Sequence, residues 1–167
     1  AVERGEDVII PNGSFVLKSG DIISVVASTE NARDFFKKVG CGSNEVKDTM
    51  IVGGGTIAYY LANQLIPLGI KVKIIEKSHE RCEELSAMLP NAVIIHGDAA
   101  DKDVLLEEGI ENCSSFVSLT GIDEENAFLS LYAKSVSNAK IVTKINRISF
   151  DDIIEKFDLG SMIYPKH

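Results

Sequence analysis

The sequence predicts an α/β protein: a Rossmann-like doubly wound parallel sheet, preceded by a small partial α+β domain. Three observations carry this expectation. From Thr49 onward, short apolar runs alternate with helical patterns, as in a parallel sheet covered on both faces. The run Met50-Ile-Val-Gly-Gly-Gly-Thr-Ile-Ala58 passes from strand to helix through a glycine turn. In it Gly53, Gly55 and Ala58 stand at the spacing G-x-G-x-x-(G/A), and an acid, Glu76, follows about 20 residues on.

The first block is expected over residues 1–42. Val8-Ile9-Ile10 reads as a strand closed by the turn Pro11-Asn12-Gly13. Phe15–Leu17 reads as a second strand and Ile22–Ala27 as a third. Ser28 or Thr29 can cap a helix over Glu30–Val39, with Gly40 as its stop and Phe35, Phe36 and Val39 as its apolar stripe. So small a block falls below the size that usually folds alone. It reads as the latter part of a longer domain.

The second block is expected over residues 43–167, after the small, polar run Cys41–Asp48. Strand Thr49–Val52 leads to helix Thr56–Leu68, ended by Gly69, with Pro67 near its end. Strand Lys71–Ile75 leads to helix Ser78–Leu89. Strand Ala92–Ile95 leads to helix Lys102–Glu108, capped by Asp101 and stopped by Gly109. Strand Ser115–Leu119 leads to helix Glu124–Val136, and strand Lys140–Ile145 to helix Phe150–Phe157. Met162–Tyr164 is the last strand. Right-handed crossovers give the spatial order 3-2-1-4-5-6.

Composition narrows the function classes. The chain has 167 residues, 45% of them hydrophobic, enough for a buried core. Its net charge of -8 repels phosphate backbones and anionic membranes, which argues against a nucleic acid partner. No apolar run reaches the roughly 20 residues of a spanning helix, so direct membrane insertion is not expected. The charged start, Ala1–Asp7, has no signal-peptide core. Cys41, Cys82 and Cys113 are widely spaced and form no ligand pattern with His79, His96 and His167. They read as reduced thiols of a cytosolic protein, with no metal site.

The candidate site gathers at the strand ends. Gly53 permits the tight bend, Gly55 lets a pyrophosphate approach the backbone, and Ala58 keeps helix and sheet close. The helix opening near Thr56 offers free N–H groups to phosphate. Glu76 can accept hydrogen bonds from both ribose hydroxyls, or be a solvated strand-end carboxylate. In the first role it excludes a 2′-phosphate, because like charges about 4 Å apart cost about 4 kcal/mol at an effective dielectric near 20. NAD or another unphosphorylated adenosine is therefore favoured over NADP. Lys77 reads as an adenine or phosphate contact, or as a surface lysine. Asp98, within His96-Gly97-Asp98-Ala99, can accept from the adenine amino group or serve as a turn residue. Thr120-Gly121 ends the fourth strand across the switch point. The acids Asp123, Glu124 and Glu125 complement a helix dipole, or face phosphates through a divalent cation.

Together, Ile51–Ile57, Glu76, Gly97-Asp98-Ala99, Leu119-Thr120 and Asp123-Glu124-Glu125-Asn126 resemble the TrkA-type regulatory subunits of potassium uptake systems, the RCK/KTN domain. Residues 1–40, with Ile-Pro-x-Gly and Ser-Gly-Asp turns, resemble its companion RCK-C domain. The resemblance suggests two tandem copies, with this chain spanning the end of one and the nucleotide domain of the next. It implies a cytoplasmic, nucleotide-sensing subunit, peripheral at the inner face of the membrane, on a potassium transporter or channel. NAD(H) or ATP/ADP would bind and gate transport. The residues carried across are Gly53, Gly54, Gly55, Thr56, Ile57, Glu76, Lys77, Gly97, Asp98, Ala99 and Thr120, with Glu125 a weaker transfer. Lys144 stands where many members have arginine. The resemblance also implies a homo-oligomer, dimer or tetramer, paired through late helices; Phe150–Phe157 and Ala127–Val136 are the candidates, and the apolar residues of either can equally be core alone.

No catalytic residues are expected, since no acid–base constellation is visible. The alternative is the cofactor domain of an NAD-dependent oxidoreductase whose substrate domain lies outside this sequence. A third reading is an assembly module with a vestigial site.

Overall fold

The computed structural model describes residues 1–5, 7–40, 46–146 and 159–165. The chain divides into two compact units, Ala1–Asn44 and Glu45–His167.

In the first unit, strands β1 (Val2–Arg4), β2 (Asp7–Ile9) and β3 (Ile22–Ile23) form an antiparallel sheet in the order β2-β1-β3. The central strand comes from the charged start of the chain, which the sequence reading passed over. It forms because Val2 alternates inward, only 1% exposed, while Arg4 pairs with Asp21 at 2.7 Å. Phe15–Leu17, expected as a strand, is not one. Arg4 instead lies over the Phe15 ring and donates to the Val16 carbonyl at 3.1 Å, so a side chain takes a ladder acceptor. The third expected strand keeps only its first two residues. Helix α1 (Thr29–Lys38) is capped by the Ser28 hydroxyl. Its Phe35, Phe36 and Val39 remain half exposed within this unit.

The second unit holds a six-stranded, wholly parallel sheet. Its strands are β4 (Asp48–Val52), β5 (Lys71–Glu76), β6 (Val93–His96), β7 (Ser115–Ser118), β8 (Lys140–Lys144) and β9 (Ser161–Ile163). The order β6-β5-β4-β7-β8-β9 is the doubly wound order expected from the alternation. Helices α2 (Thr56–Leu65), α3 (His79–Met88), α4 (Lys102–Glu107) and α5 (Asp123–Val136) connect the strands. Helix α2 is shorter than expected. Pro67 lacks an N–H, the chain tightens into a 3₁₀ turn over Ile66–Leu68, and Gly69 closes it at φ 80°. The expected helix Phe150–Phe157 lies outside the described residues.

Neighbouring residues of β4 feed opposite sides of the sheet. Met50 and Val52 pack with Ile75, Leu105, Phe116 and Leu129 on one face. Ile51 packs with Ala58, Ala62, Ile74 and Leu85 on the other. Burial on both faces is why these strands read as unbroken apolar runs. It also leaves the strand ends, where polar residues begin, as the exposed working edge.

Candidate functional site

The carboxyl ends of β4 to β8 surround an open crevice of about 380 Å³. Gly53, Gly54 and Gly55 form one wall. Glu76 and Lys77 come from the end of β5, Gly97, Asp98 and Ala99 from the loop after β6. Thr120 follows β7, Glu125 lies in the first turn of α5, and Lys144 ends β8. Sequence-distant candidates thus meet because a parallel sheet brings its strand ends to one edge. Thr56 and Ile57 are exposed at the start of α2 and are not among the residues lining the crevice.

The three glycines of the turn differ in what demands them. Gly53 has φ 92°, and a Cβ there would stand 2.9 Å from the backbone of Leu119 and Thr120. Both conformation and space require glycine. A Cβ on Gly54 would meet Leu85 Cδ1 at 2.6 Å and Glu76 Oε2 at 3.0 Å. Gly55 is different. Its φ of -69° suits any residue, and a Cβ would meet nothing within 4 Å. No packing among the described residues explains glycine at this position. Gly55 also caps α2 without a side-chain hydrogen bond, so the first turn keeps unpaired N–H donors.

The Glu76 carboxylate is turned toward this wall. Oε2 accepts from the Gly54 N–H at 2.6 Å and Oε1 from the Ser78 N–H at 2.7 Å. Each oxygen retains a further lone pair. Across the crevice, Lys77 donates to Asp98 Oδ2, while Asp98 Oδ1 accepts from the Ala100 N–H at 3.0 Å. Asp98 therefore serves its own turn and binds a lysine. That hydrogen bond, first of all, holds the Asp98 carboxyl below its ordinary range and raises Lys77; the Glu125 charge adds to the latter. Thr120 Oγ1 turns back to the Ile122 backbone. Lys144 Nζ donates to the Leu119 carbonyl at 3.3 Å. Asp123 accepts from the Asn146 N–H and side-chain amide, at 2.9 and 2.7 Å.

Two residues around the site carry more than the sequence suggested. Asn126 is fully buried. Its Oδ1 accepts from the Thr120 N–H, and its Nδ2 donates to the carbonyls of Thr120 and Lys144. One carboxamide thus fixes the ends of β7 and β8. Arg81, in the first turn of α3, donates from Nε to the Gly54 carbonyl at 2.7 Å. Asn126 stood in the sequence only as part of the acidic helix start that carries the resemblance, and its burial is a finding of the structure; Arg81 gave no signal. Among the described residues no group of side chains could hold a metal ion, and no helix is long and apolar enough to cross a membrane.

Comparison with known proteins agrees with this geometry. The TrkA-N domain model matches residues 49–165, and the TrkA-C domain model matches residues 1–40. A Trk system potassium uptake protein TrkA of Halomonas elongata is 34% identical over 166 residues. Its counterpart in Haemophilus influenzae is 31% identical. Each alignment covers 99% of this chain but 36% of the relative, so the chain spans about a third of their length. Among solved structures, the TrkA-N domain of the inner membrane protein ybaL from Escherichia coli superposes with a TM-score of 0.63 at 16% identity, over 72% of this chain and 89% of that one. The GsuK channel bound to NAD gives 0.61 at 14%, over 80% of this chain and 25% of that one. These two likenesses speak for the fold, whereas the family-model match spans most of the sequence. The chain belongs to the TrkA-N domain family, with TrkA-C sequence at its start.

Proposed function

We propose that this chain is a nucleotide-sensing part of a potassium uptake system. In this reading it binds NAD(H) or ATP/ADP at the strand-end crevice and regulates transport by a membrane partner. The observation that carries the reading is Gly55, bare of contacts beside an uncapped helix start and a turned-in Glu76. Support comes also from relatives named for Trk potassium uptake and from a channel of the same fold bound to NAD.

The division of labour follows from the site. Gly53 and Gly54 shape the turn, and Gly55 clears room for a diphosphate. The N–H groups of Thr56 and Ile57 and the dipole of α2 meet its charge. The remaining lone pairs of Glu76 take the ribose hydroxyls. Gly97, Asp98 and Ala99 bound the adenine side, and Lys77 and Lys144 offset the acids. Thr120 and Glu125 border the far half of the ligand. The ribose role of Glu76 disfavours NADP. No residue set for bond-making chemistry is invoked; binding free energy acts on the preferred arrangement of subunits. Such coupling is typically about 1–3 kcal/mol. The subunit works on the cytoplasmic face as a homo-oligomer beside its transporter.

Calorimetry across NAD, NADH, ATP, ADP and NADP tests the reading. At least one nucleotide without a 2′-phosphate binds, and Glu76→Ala weakens it at least about tenfold, about 1.4 kcal/mol. Folded protein that takes up none of them overturns the proposal.

A further inference from the structure

We infer that Arg81, restrained by Glu84, governs how the crevice treats the 2′ position of an adenosine ribose; this rests on the nucleotide reading above. The starting point is Gly54, which is gripped at both ends by side chains. Its N–H donates to Glu76 Oε2 at 2.6 Å, and its carbonyl accepts from Arg81 Nε at 2.7 Å. A carboxylate and a guanidinium are thereby fixed to one residue of the turn. A sugar received by Glu76 sits within the field of Arg81 as well.

An arginine near the ribose acid is a known chemical means of accepting a 2′-phosphate, since its planar fork suits phosphate oxygens. Here the fork is partly engaged. Nη1 donates to Glu84 Oε2 at 2.5 Å, one turn further along α3. Nη2 has no protein acceptor among the described residues. The Arg81 side chain is 28% exposed and Glu84 51%, so solvent reaches both; neither lines the crevice itself, and Arg81 meets its wall through the Gly54 carbonyl. With Lys77 paired to Asp98, Glu76 and Glu84 against Arg81 leave this end of the site with one excess negative charge. A 2′-phosphate adds about -1.5 to -2 more. Glu76 repels it directly. Glu84 repels it too, and also occupies the group that would bind it. Discrimination here is an arrangement against the wrong ligand as much as for the right one. Glu84 touches no part of the crevice and acts through Arg81.

The test is calorimetry of NAD and NADP on the full chain, for wild type, Glu84→Gln and the double variant Glu84→Gln/Arg81→Gln, each shown to be folded by circular dichroism. Wild type prefers NAD. Glu84→Gln narrows the preference about threefold to tenfold by tightening NADP, the size expected for freeing an exposed cation. The double variant restores the preference, and high salt erodes the gain of the single one. A Glu84→Gln protein that keeps the wild-type NAD-to-NADP ratio, or a double variant no different from the single, overturns the inference while leaving nucleotide binding intact. Failure of wild type to bind NAD, NADP or any adenine nucleotide instead removes the nucleotide reading itself.

Discussion

Gly53 and Gly55 stand two residues apart and answer to different masters. At Gly53, φ is 92° and the backbone of Leu119 and Thr120 lies 2.9 Å from any added Cβ. Gly53→Ala must strain the turn or push β7 away. A strained φ alone costs about 1–3 kcal/mol. At Gly55 the backbone suits alanine and the space is clear. Gly55→Ala is therefore expected to unfold at the same urea concentration as wild type, or slightly higher. It should nonetheless lose nucleotide affinity by about tenfold or more, because the methyl group enters the ligand's space. Urea titration and calorimetry on the two variants separate the roles. Equal effects on stability would refute this division.

At the scale of elements, the crevice depends on how strand ends are tied to the helices that follow them. The start of α5 is the tightest such tie. Asn126 satisfies the N–H and carbonyl of Thr120 and the carbonyl of Lys144 from a position with no exposed surface. Removing the carboxamide leaves buried polar groups unpaired, at about 1–3 kcal/mol each before relaxation. Asn126→Ala should destabilise the chain by about 2–4 kcal/mol in urea and loosen the far half of the crevice. A loss below about 1 kcal/mol would mean that water replaces the amide. The ties in the first unit are of another kind. There the Arg4–Asp21 pair joins β1 to the turn before β3. The hydrogen bond from Arg4, first among its causes, lowers the Asp21 carboxyl to about 2. The pairing is therefore expected to be lost only as pH falls toward about 2, below the ordinary carboxylate range, which an NMR titration of Asp21 would read.

At the scale of the whole chain the net charge is -8, yet the proposed ligand is an anion. Attraction must therefore be local, from helix N–H groups and two lysines, and not from the overall field. Assembly, part of the proposed function, can be tested at the outer side of α5. Phe128 in α5 is 74% exposed and Ile122 at its N-cap 57%, while Leu129 and Ala133 of the same helix pack in the core, so α5, one of the two pairing candidates, keeps an apolar outer surface. Light scattering of the full chain at tens of micromolar should report an oligomer, and Phe128→Asp should shift it toward monomer. A wild-type protein that stays monomeric at that concentration would contradict the oligomer.

Periodicity, the glycine spacing and the acid at the end of β5 marked the parallel sheet and the turn at its centre from sequence alone, and the right-handed crossover rule supplied the strand order. Periodicity and the turn are local signals, arising within one strand, turn or helix, where sequence distance and spatial distance agree. The small first unit was harder to read, because β1 is built from a charged segment anchored by one buried apolar residue, Val2, and by the Arg4–Asp21 pair, and because Arg4 captures the Val16 carbonyl and lies over the Phe15 ring. The same limit applied at the site. Residue types at the strand ends marked Glu76, Lys77 and Asp98, but only the fold showed Lys77 bound to Asp98, Asn126 holding two strand ends, and Arg81 on Gly54. These contacts join residues from different elements, and the packing of helices onto the sheet decides which side chains meet.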